Sequence, residues 1–192
     1  MKNFFYILLL VLLGVSSPAQ EKSLLKDIKA MKELAGEGDA EAQVQLGVML
    51  ALGQGVEKNK EEAFKWFLRS AQQGNAEAQY WVGAAYHFGE GVEVDHMAAA
   101  EWYGKARIQG HAKALYAGGS MIINGKGTKK DLVRGHAWMT VAAAAGSDQA
   151  VQILPKVAAA LTPAQLKESE REVSTAFNNI GLVHDNKGDY DK

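Results

Sequence analysis

The chain has no cysteine in its 192 residues, and its net charge at pH 7 is only −1. Without cysteine it can form no disulfide and carry no lipid on a thiol, so its stability must come from packing alone. A nearly neutral chain also lacks the basic excess that binds nucleic acid or an anionic membrane. With 47% hydrophobic and 22% charged residues, we expect a folded protein of about one domain that binds no nucleic acid.

Long apolar runs are also scarce, and the one present stands at the N-terminus. Residues 4–15 are almost all apolar, about a dozen residues where a membrane span requires ~20. A lysine precedes the run, and small residues at 17–19 offer a signal-peptidase site. We therefore predict that residues 1–19 are a cleaved secretory signal, with Gln20 as the mature N-terminus. The predicted location is periplasmic or secreted, with no membrane span after cleavage; an uncleaved anchor is the alternative.

What the chain does have is an internal repeat. Three similar segments begin 36 residues apart, namely GDAEAQVQLG (38–47), GNAEAQYWVG (74–83) and GHAKALYAGG (110–119). The same step relates three glycine-x-glycine turns and three tryptophans: 53–55, 89–91 and 125–127, with Trp66, Trp102 and Trp138. So many coincident positions at one period predict a repeat array.

Each repeat has the signals of two helices joined by a short turn. Asp39, Asn75 and Ser147 stand where a first helix should be capped, with His111 as the exception in the series. A second set of capping residues recurs at the same step, namely Asn59, Asp95 and Asp131. Short turns make neighbouring helices antiparallel. We therefore predict an all-α solenoid of antiparallel helix pairs in which the three tryptophans are core wedges between repeats.

The glycine-x-glycine turns need not bind a phosphate. A nucleotide loop is a single glycine-rich segment that normally follows a strand, and no strand-like alternation precedes any of the three copies. A copy in every repeat is what a structural turn predicts, because the first glycine suits the left-handed end of a helix. We predict no nucleotide and no other cofactor.

The repeated pattern A-x-A-Q-x-x-L-G, followed by G-x-G-V and A-x-x-W, resembles the Sel-one-like repeat, a relative of the tetratricopeptide repeat. Residues 40–74 match it almost throughout, 76–110 well and 112–146 loosely. The resemblance implies a right-handed solenoid of helix pairs that works by binding other proteins. It also implies that the first helix of each pair lines the concave face.

The predicted organisation has seven parts: signal peptide 1–19, N-terminal capping half-repeat 20–38, repeat 1 at 39–74, repeat 2 at 75–110, repeat 3 at 111–146, a partial repeat 4 with a following helix at 147–178, and a tail at 179–192. Thr162 and Pro163 should begin the helix that follows the partial repeat. The tail resembles half a tetratricopeptide unit. It is a terminal cap, a truncated repeat or a segment that a partner covers, and the sequence leaves all three open.

No catalytic or metal-binding pattern is complete. Residues 23–26 match the S-x-x-K of penicillin-recognising enzymes, and cysteine-rich cousins of the resembled family have been described as β-lactamases. The partner motifs that this chemistry needs have only imperfect echoes at 127–129 and 147–149. None of the five histidines pairs with another at helical spacing. We predict a non-catalytic protein without a metal, and a β-lactam or cell-wall hydrolase is the alternative from another class.

Helical spacing on the first helices then selects the residues that should face a partner. They form three ladders, Glu41 with Glu77 and Lys113, Val44 with Tyr80 and Tyr116, and Ala51 with His87 and Ile123. The tyrosines are suited to anchor a peptide, because each has an apolar ring and a polar tip. The competing interpretation is that they only pack against neighbouring helices. We predict a protein or peptide partner, or an enzyme that the chain inhibits as an immunity protein.

Overall fold

The computed structural model describes residues 18–179, and within them the backbone is helical with no β-strand. The helices are α1 (Pro18–Glu37), α2 (Ala40–Leu52), α3 (Lys60–Gln72), α4 (Ala76–Phe88), α5 (His96–Arg107), α6 (Ala112–Asn124), α7 (Leu132–Ala144), α8 (Asp148–Ala159) and α9 (Pro163–Asn179). Helices α2 and α3 form repeat 1, α4 and α5 repeat 2, and α6 and α7 repeat 3. The predicted signal peptide, except for its last two residues, and the predicted tail beyond 179 lie outside the described residues.

Side-chain caps begin the repeat helices, as the sequence predicts. Asp39 accepts a hydrogen bond from the backbone N–H of Ala42 at 2.7 Å, and Asn75 accepts one from Ala78 at 2.9 Å. His111, predicted to break this series, is also a cap, because its Nδ1 accepts from the backbone N–H of Ala114 at 3.2 Å. An unprotonated ring nitrogen thus takes the place of the carboxylate or amide oxygen.

The second glycine of each turn has a different task from the first. Gly53, Gly89 and Gly125 end the first helices in the left-handed conformation. Gly91 also has a positive φ of 77°, and a Cβ there would overlap the backbone carbonyl of Lys60, the first residue of α3. Gly127 lies in the same way against the carbonyl of His96. The turn of each of these repeats therefore touches the main chain of the repeat before it.

Within a repeat, the two helices meet where an aromatic ring of the second lies on a glycine of the first. A Cβ on Gly47 would stand 2.6 Å from Cε1 of Phe67, and one on Gly83 would stand 2.7 Å from Cδ1 of Tyr103. Phe67 is 4% exposed and Tyr103 is 1% exposed. The glycine that ends the pattern A-x-A-Q-x-x-L-G, Gly47 or Gly83, thus leaves the space that the ring needs.

This contact corrects the role predicted for the tryptophans. Trp138 is 9% exposed, but Trp66 and Trp102 are half-buried and pack against the core from its edge. The side chain that fills the space between the helices is that of the next residue, Phe67 in repeat 1 and Tyr103 in repeat 2. One step along a helix turns the side-chain direction by about 100°, so the tryptophan before it points away from that space. A cation lies over each indole ring, namely Arg69 over Trp66 at 4.5 Å, Lys105 over Trp102 at 3.8 Å and Arg107 over Trp138 at 3.7 Å.

The buried Gln79 connects repeat 2 to repeat 1. The side-chain amide of Gln79 donates to the backbone carbonyl of Ala71 in repeat 1 at 3.3 Å, and Gln109 donates to the side-chain oxygen of Gln79 at 2.8 Å. Buried polar groups need such partners, because leaving one unpaired costs about 1–3 kcal/mol. Repeat 3 has Leu115 at the position of Gln79, so its junction depends more on apolar packing.

The last two helices close the C-terminal end of the described array. Helix α9 begins at Pro163, where Thr162 Oγ1 accepts from the backbone N–H of Gln165 at 3.3 Å. It packs against α7, and Val173 joins the core cluster that contains Trp138. The apolar face of repeat 3 is therefore covered on the side where a fourth repeat would stand.

The close approach at Gly91 gives a stability test. We expect Gly91→Ala to lower the free energy of unfolding by more than about 2 kcal/mol, because the residue must keep a positive φ and its Cβ meets main-chain atoms. Urea denaturation followed by circular dichroism measures this. The control is Gly104→Ala in α5, where a Cβ meets nothing within 4 Å. It should stabilise the chain by about 0.5–1 kcal/mol, and equal effects of the two variants would contradict the assignment.

Candidate protein-binding surface

The predicted ladder residues divide into exposed, half-buried and buried positions. Glu41 and Lys113 are exposed; Glu77, Tyr80, His87, Tyr116 and Ile123 are half-buried; Val44 is buried. Val44 is 4% exposed and belongs to the same core cluster as Ala35 of α1. The prediction that Val44 faces an open groove is wrong in its geometry, because α1 adds a layer beside repeat 1. The other residues keep accessible surface.

Three of the predicted residues meet around His111. Nε2 of His111 lies 2.7 Å from Oε2 of Glu77, and its ring stacks on Tyr80 with centroids 5.1 Å apart. Lys113 Nζ lies 5.7 Å above the ring of Tyr80. Trp81 completes the group, since its indole N–H donates to Oε1 of Glu77 at 2.9 Å. These five residues, 77, 80, 81, 111 and 113, are called the Glu77 cluster below.

The capping role of His111 determines how it holds Glu77. Because Nδ1 accepts from the backbone of α6, the ring proton belongs on Nε2, which then donates to the carboxylate. Glu77 thus receives one hydrogen bond on each oxygen, from His111 and from Trp81. Its side chain remains 39% exposed. The result is a carboxylate fixed in position at the surface where repeats 2 and 3 meet.

Tyr80 links this surface to the core. Its ring lies 5.8 Å from that of the buried Tyr103 and 5.4 Å from that of Trp81. Burial, and then the negative charge of Glu77, raise the pKa of Tyr80, so its hydroxyl stays protonated and able to donate. The alternative that this tyrosine packs against neighbouring helices is therefore partly correct, because its ring contacts Trp81, Tyr103 and His111 while the residue keeps some accessible surface.

The remaining ladder residues of repeat 3 stand apart from the cluster. Tyr116 and Ile123 pack against the core of repeat 3, which also contains Trp138. Ile123 is held closely by α7, where a Cβ on Gly135 would overlap its side chain. Residues 80 and 116 therefore occupy matching positions in the array without forming one joint aromatic site.

His87 lies at the other end of α4 and has a neighbour that sequence spacing did not predict. Its ring stacks on the exposed Phe88 with centroids 4.5 Å apart and meets the ring of His96 edge-on at 5.3 Å. The glycine turn brings these histidines together across nine residues of sequence. Burial, followed by the charges of His96 and Lys126, lowers the pKa of His87.

Neither a metal site nor a membrane helix is present in the described part of the chain. Across residues 18–179, no three histidine or carboxylate side chains gather closely enough to hold a metal ion. In the same range, no helix combines the length and the apolar character that crossing a bilayer requires. The chemistry at this surface is hydrogen bonding, stacking and charge.

Sequence comparison gives the same repeat that the structure shows. A family model described as Sel1 repeat matches residues 40–75, 76–111 and 112–147, which together are more than half of the chain. None of the curated proteins matches this sequence.

Three solved bacterial proteins illustrate the similarity of fold. A protective antigen of uropathogenic Escherichia coli with an SLR fold is 28% identical, with a TM-score of 0.76 over 86% of this chain and 34% of the antigen. This chain therefore spans about a third of that protein's length. A Sel1 repeat protein from Oxalobacter formigenes is 34% identical, with a TM-score of 0.62 over 68% of this chain and 98% of that one. Cysteine-rich protein B of Helicobacter pylori, 20% identical with a TM-score of 0.55 over 72% of this chain and 98% of that protein, shares the fold.

The lowered pKa of His87 gives a prediction of pH dependence. The unfolded chain binds a proton at this histidine more readily than the folded chain does, so the free energy of unfolding should fall as the pH drops through about 6.5. We expect urea denaturation to show lower stability at about pH 5 than at about pH 7.5, and a smaller loss in His87→Gln. His136, whose pKa burial also lowers, should account for part of the remaining loss. An unchanged pH slope in His87→Gln would contradict the prediction.

Proposed function

This chain belongs to the Sel1 repeat family, whose members generally mediate protein–protein interactions, and we propose that it is an exported, non-catalytic scaffold. On this proposal the first helices of the repeats present a surface to a protein or peptide partner. The observation that carries it is the Glu77 cluster, where a fixed carboxylate, an aromatic ring and a lysine lie together at the surface.

The chemistry of the cluster indicates what kind of segment it would bind. Tyr80 offers a ring for an apolar or aromatic side chain, and tyrosine is among the residues that contribute most to binding at interfaces. Glu77 and the exposed Lys113 belong to the same cluster and carry opposite charges. A peptide with a charged residue of each sign around an apolar one would pair with both. Because Glu77 is already oriented by His111 and Trp81, little ordering remains to be done on binding.

The positions of the hydrolase-like segments support the non-catalytic proposal. Residues 23–26 lie in α1, 127–129 in the turn before α7, and 147–149 at the start of α8. A penicillin-recognising site needs its three motifs around one cleft, whereas these segments belong to elements at different positions along the array. The Sel1 repeat family is also typically non-catalytic.

Partner binding is tested by a charge reversal on the cluster. A photo-crosslinking residue at the exposed position 41, which is in the same ladder as Glu77 and Lys113, would identify the partner in a periplasmic extract, and calorimetry would then measure its affinity. We expect Lys113→Glu and Tyr80→Ala each to weaken binding by about 1–3 kcal/mol. Lys167→Glu, a matched reversal at an exposed position of α9, should leave the affinity unchanged. If both cluster variants fold and bind as well as the unaltered chain, the partner does not use this surface.

Export is tested at the apolar N-terminal run, where Leu9 and Leu12 lie. We expect the expressed chain to be shortened to begin at Gln20 and to appear in the periplasmic fraction. Replacing both leucines with arginine should leave a full-length precursor in the cytoplasm, because the run is then no longer apolar. Replacing both with isoleucine is the control and should be processed normally. Full-length protein in the membrane fraction would indicate an uncleaved anchor, and normal processing of the arginine variant would exclude a signal.

A further inference from the structure

A small cavity lies where repeat 2 meets repeat 3, away from the Glu77 cluster. Residues of α5, α6, the following turn and α7 form its walls, which enclose about 130 Å³. Arg107 of repeat 2 and Arg134 of repeat 3 both line it. Among the described residues that form the walls none is acidic, so two groups of the same charge share this space.

Arg107 stacks on an aromatic ring and has one buried donor without a partner. Its guanidinium lies 3.7 Å from the ring centroid of Trp138, which fixes its plane. Its Nε is buried without a hydrogen-bond partner, and within the described side chains neither arginine forms an ion pair. Burial, and then the charge of Arg134, lower the pKa of Arg107 to about 10. Both effects show that the positive charge is costly at this place.

The space in the cavity comes from small residues that are particular to this junction. Gly118 of α6 stands where repeats 1 and 2 have the buried Leu46 and Val82. Gly104 of α5 stands where repeat 1 has Leu68. A Cβ on Gly104 would meet nothing within 4 Å, so the region beside it is open. Two positions that face this cavity, Gly104 and Gly118, thus have smaller side chains than their counterparts in the other repeats.

The charges are particular to this junction as well. Arg107 stands where repeats 1 and 3 have Ala71 and Ala143, and Arg134 stands where repeat 2 has Ala98. In the other repeats the helix pair folds with alanine at the position of Arg107, and with Ala98 or Glu62 at the position of Arg134, so the fold does not require arginine. The smaller side chains and the two arginines, each a departure from the other repeats, therefore line the same cavity.

We propose that this cavity binds an anionic oxygen group, a carboxylate or a phosphate, between the guanidinium groups of Arg107 and Arg134. A guanidinium presents its N–H donors in a planar fork that matches the oxygens of either group. An anion would also remove the repulsion between the two arginines. At about 130 Å³, the cavity is smaller than the ~300 Å³ or more of pockets for whole cofactors or drug-sized ligands, so it admits a head group.

The test uses the full chain with sodium phosphate and sodium acetate as separate probes, with sodium chloride keeping the ionic strength constant. Thermal denaturation and calorimetry should show saturable stabilisation by at least one of the two anions, and the tighter one identifies the ligand class. Arg134→Gln should weaken that binding by at least about tenfold, the loss of one charge-assisted hydrogen bond. In chloride alone, the same variant should melt at a higher temperature, because the like charges no longer face each other.

Two further variants separate the cavity from its charged surroundings. Gly118→Val restores the side chain of repeat 2 and should abolish the response although both arginines remain. Lys129→Gln removes an exposed cation in the adjacent turn and should leave the response unchanged. If Gly118→Val fails to fold, Arg134→Gln decides, since that side chain is exposed. No stabilisation beyond that of chloride, or an equal response in Arg134→Gln, would overturn the proposal.

Discussion

The contact between an aromatic ring and a glycine organises repeats 1 and 2. Phe67 on Gly47 and Tyr103 on Gly83 bring the two helices of a pair close enough for the ring to fill the space between them. Interiors pack densely, so a side chain on either glycine would force the ring out or separate the helices. Repeat 3 has no ring at this place, because a Cβ on Gly119 would instead stand 3.5 Å from the backbone nitrogen of Met139. The glycine thus recurs in all three repeats while the atoms that face it change.

The position of each surface feature follows from that packed pair. With one face of the first helix held against the second, the residues three and four positions away turn toward the neighbouring repeat and the solvent. His111 shows how closely fold and surface are joined, since one ring caps α6, stacks on Tyr80 and orients Glu77. The binding surface proposed for this protein therefore rests on groups that also hold repeats 2 and 3 in register. The cavity with the two arginines lies at the same junction but is built from other residues.

The repeat period in the sequence was enough to predict the helices, most of their caps and the structural nature of the glycine turns, because these depend on local chemistry. It did not predict features that depend on neighbours along the array. Val44 is buried in a core cluster with Ala35 of α1, and Trp66 and Trp102 are one position away from the true wedge. The pairing of His87 with His96 and that of Arg107 with Arg134 arise only in three dimensions. For Val44, the two histidines and the two arginines the sequence does contain a signal, namely a residue that departs from its counterparts 36 positions away. The tryptophans are the same in all three repeats and give no such signal.

The approach of Gly91 and Gly127 to the main chain of the preceding repeat has a consequence for how such a protein can evolve. Where one repeat rests on another through backbone atoms, the pitch of the array is set by groups that every residue possesses. Side chains on either face can then diverge without altering the curvature of the scaffold. A duplicated repeat inherits its stacking geometry at once and is free to acquire a new specificity, provided that it keeps its glycine.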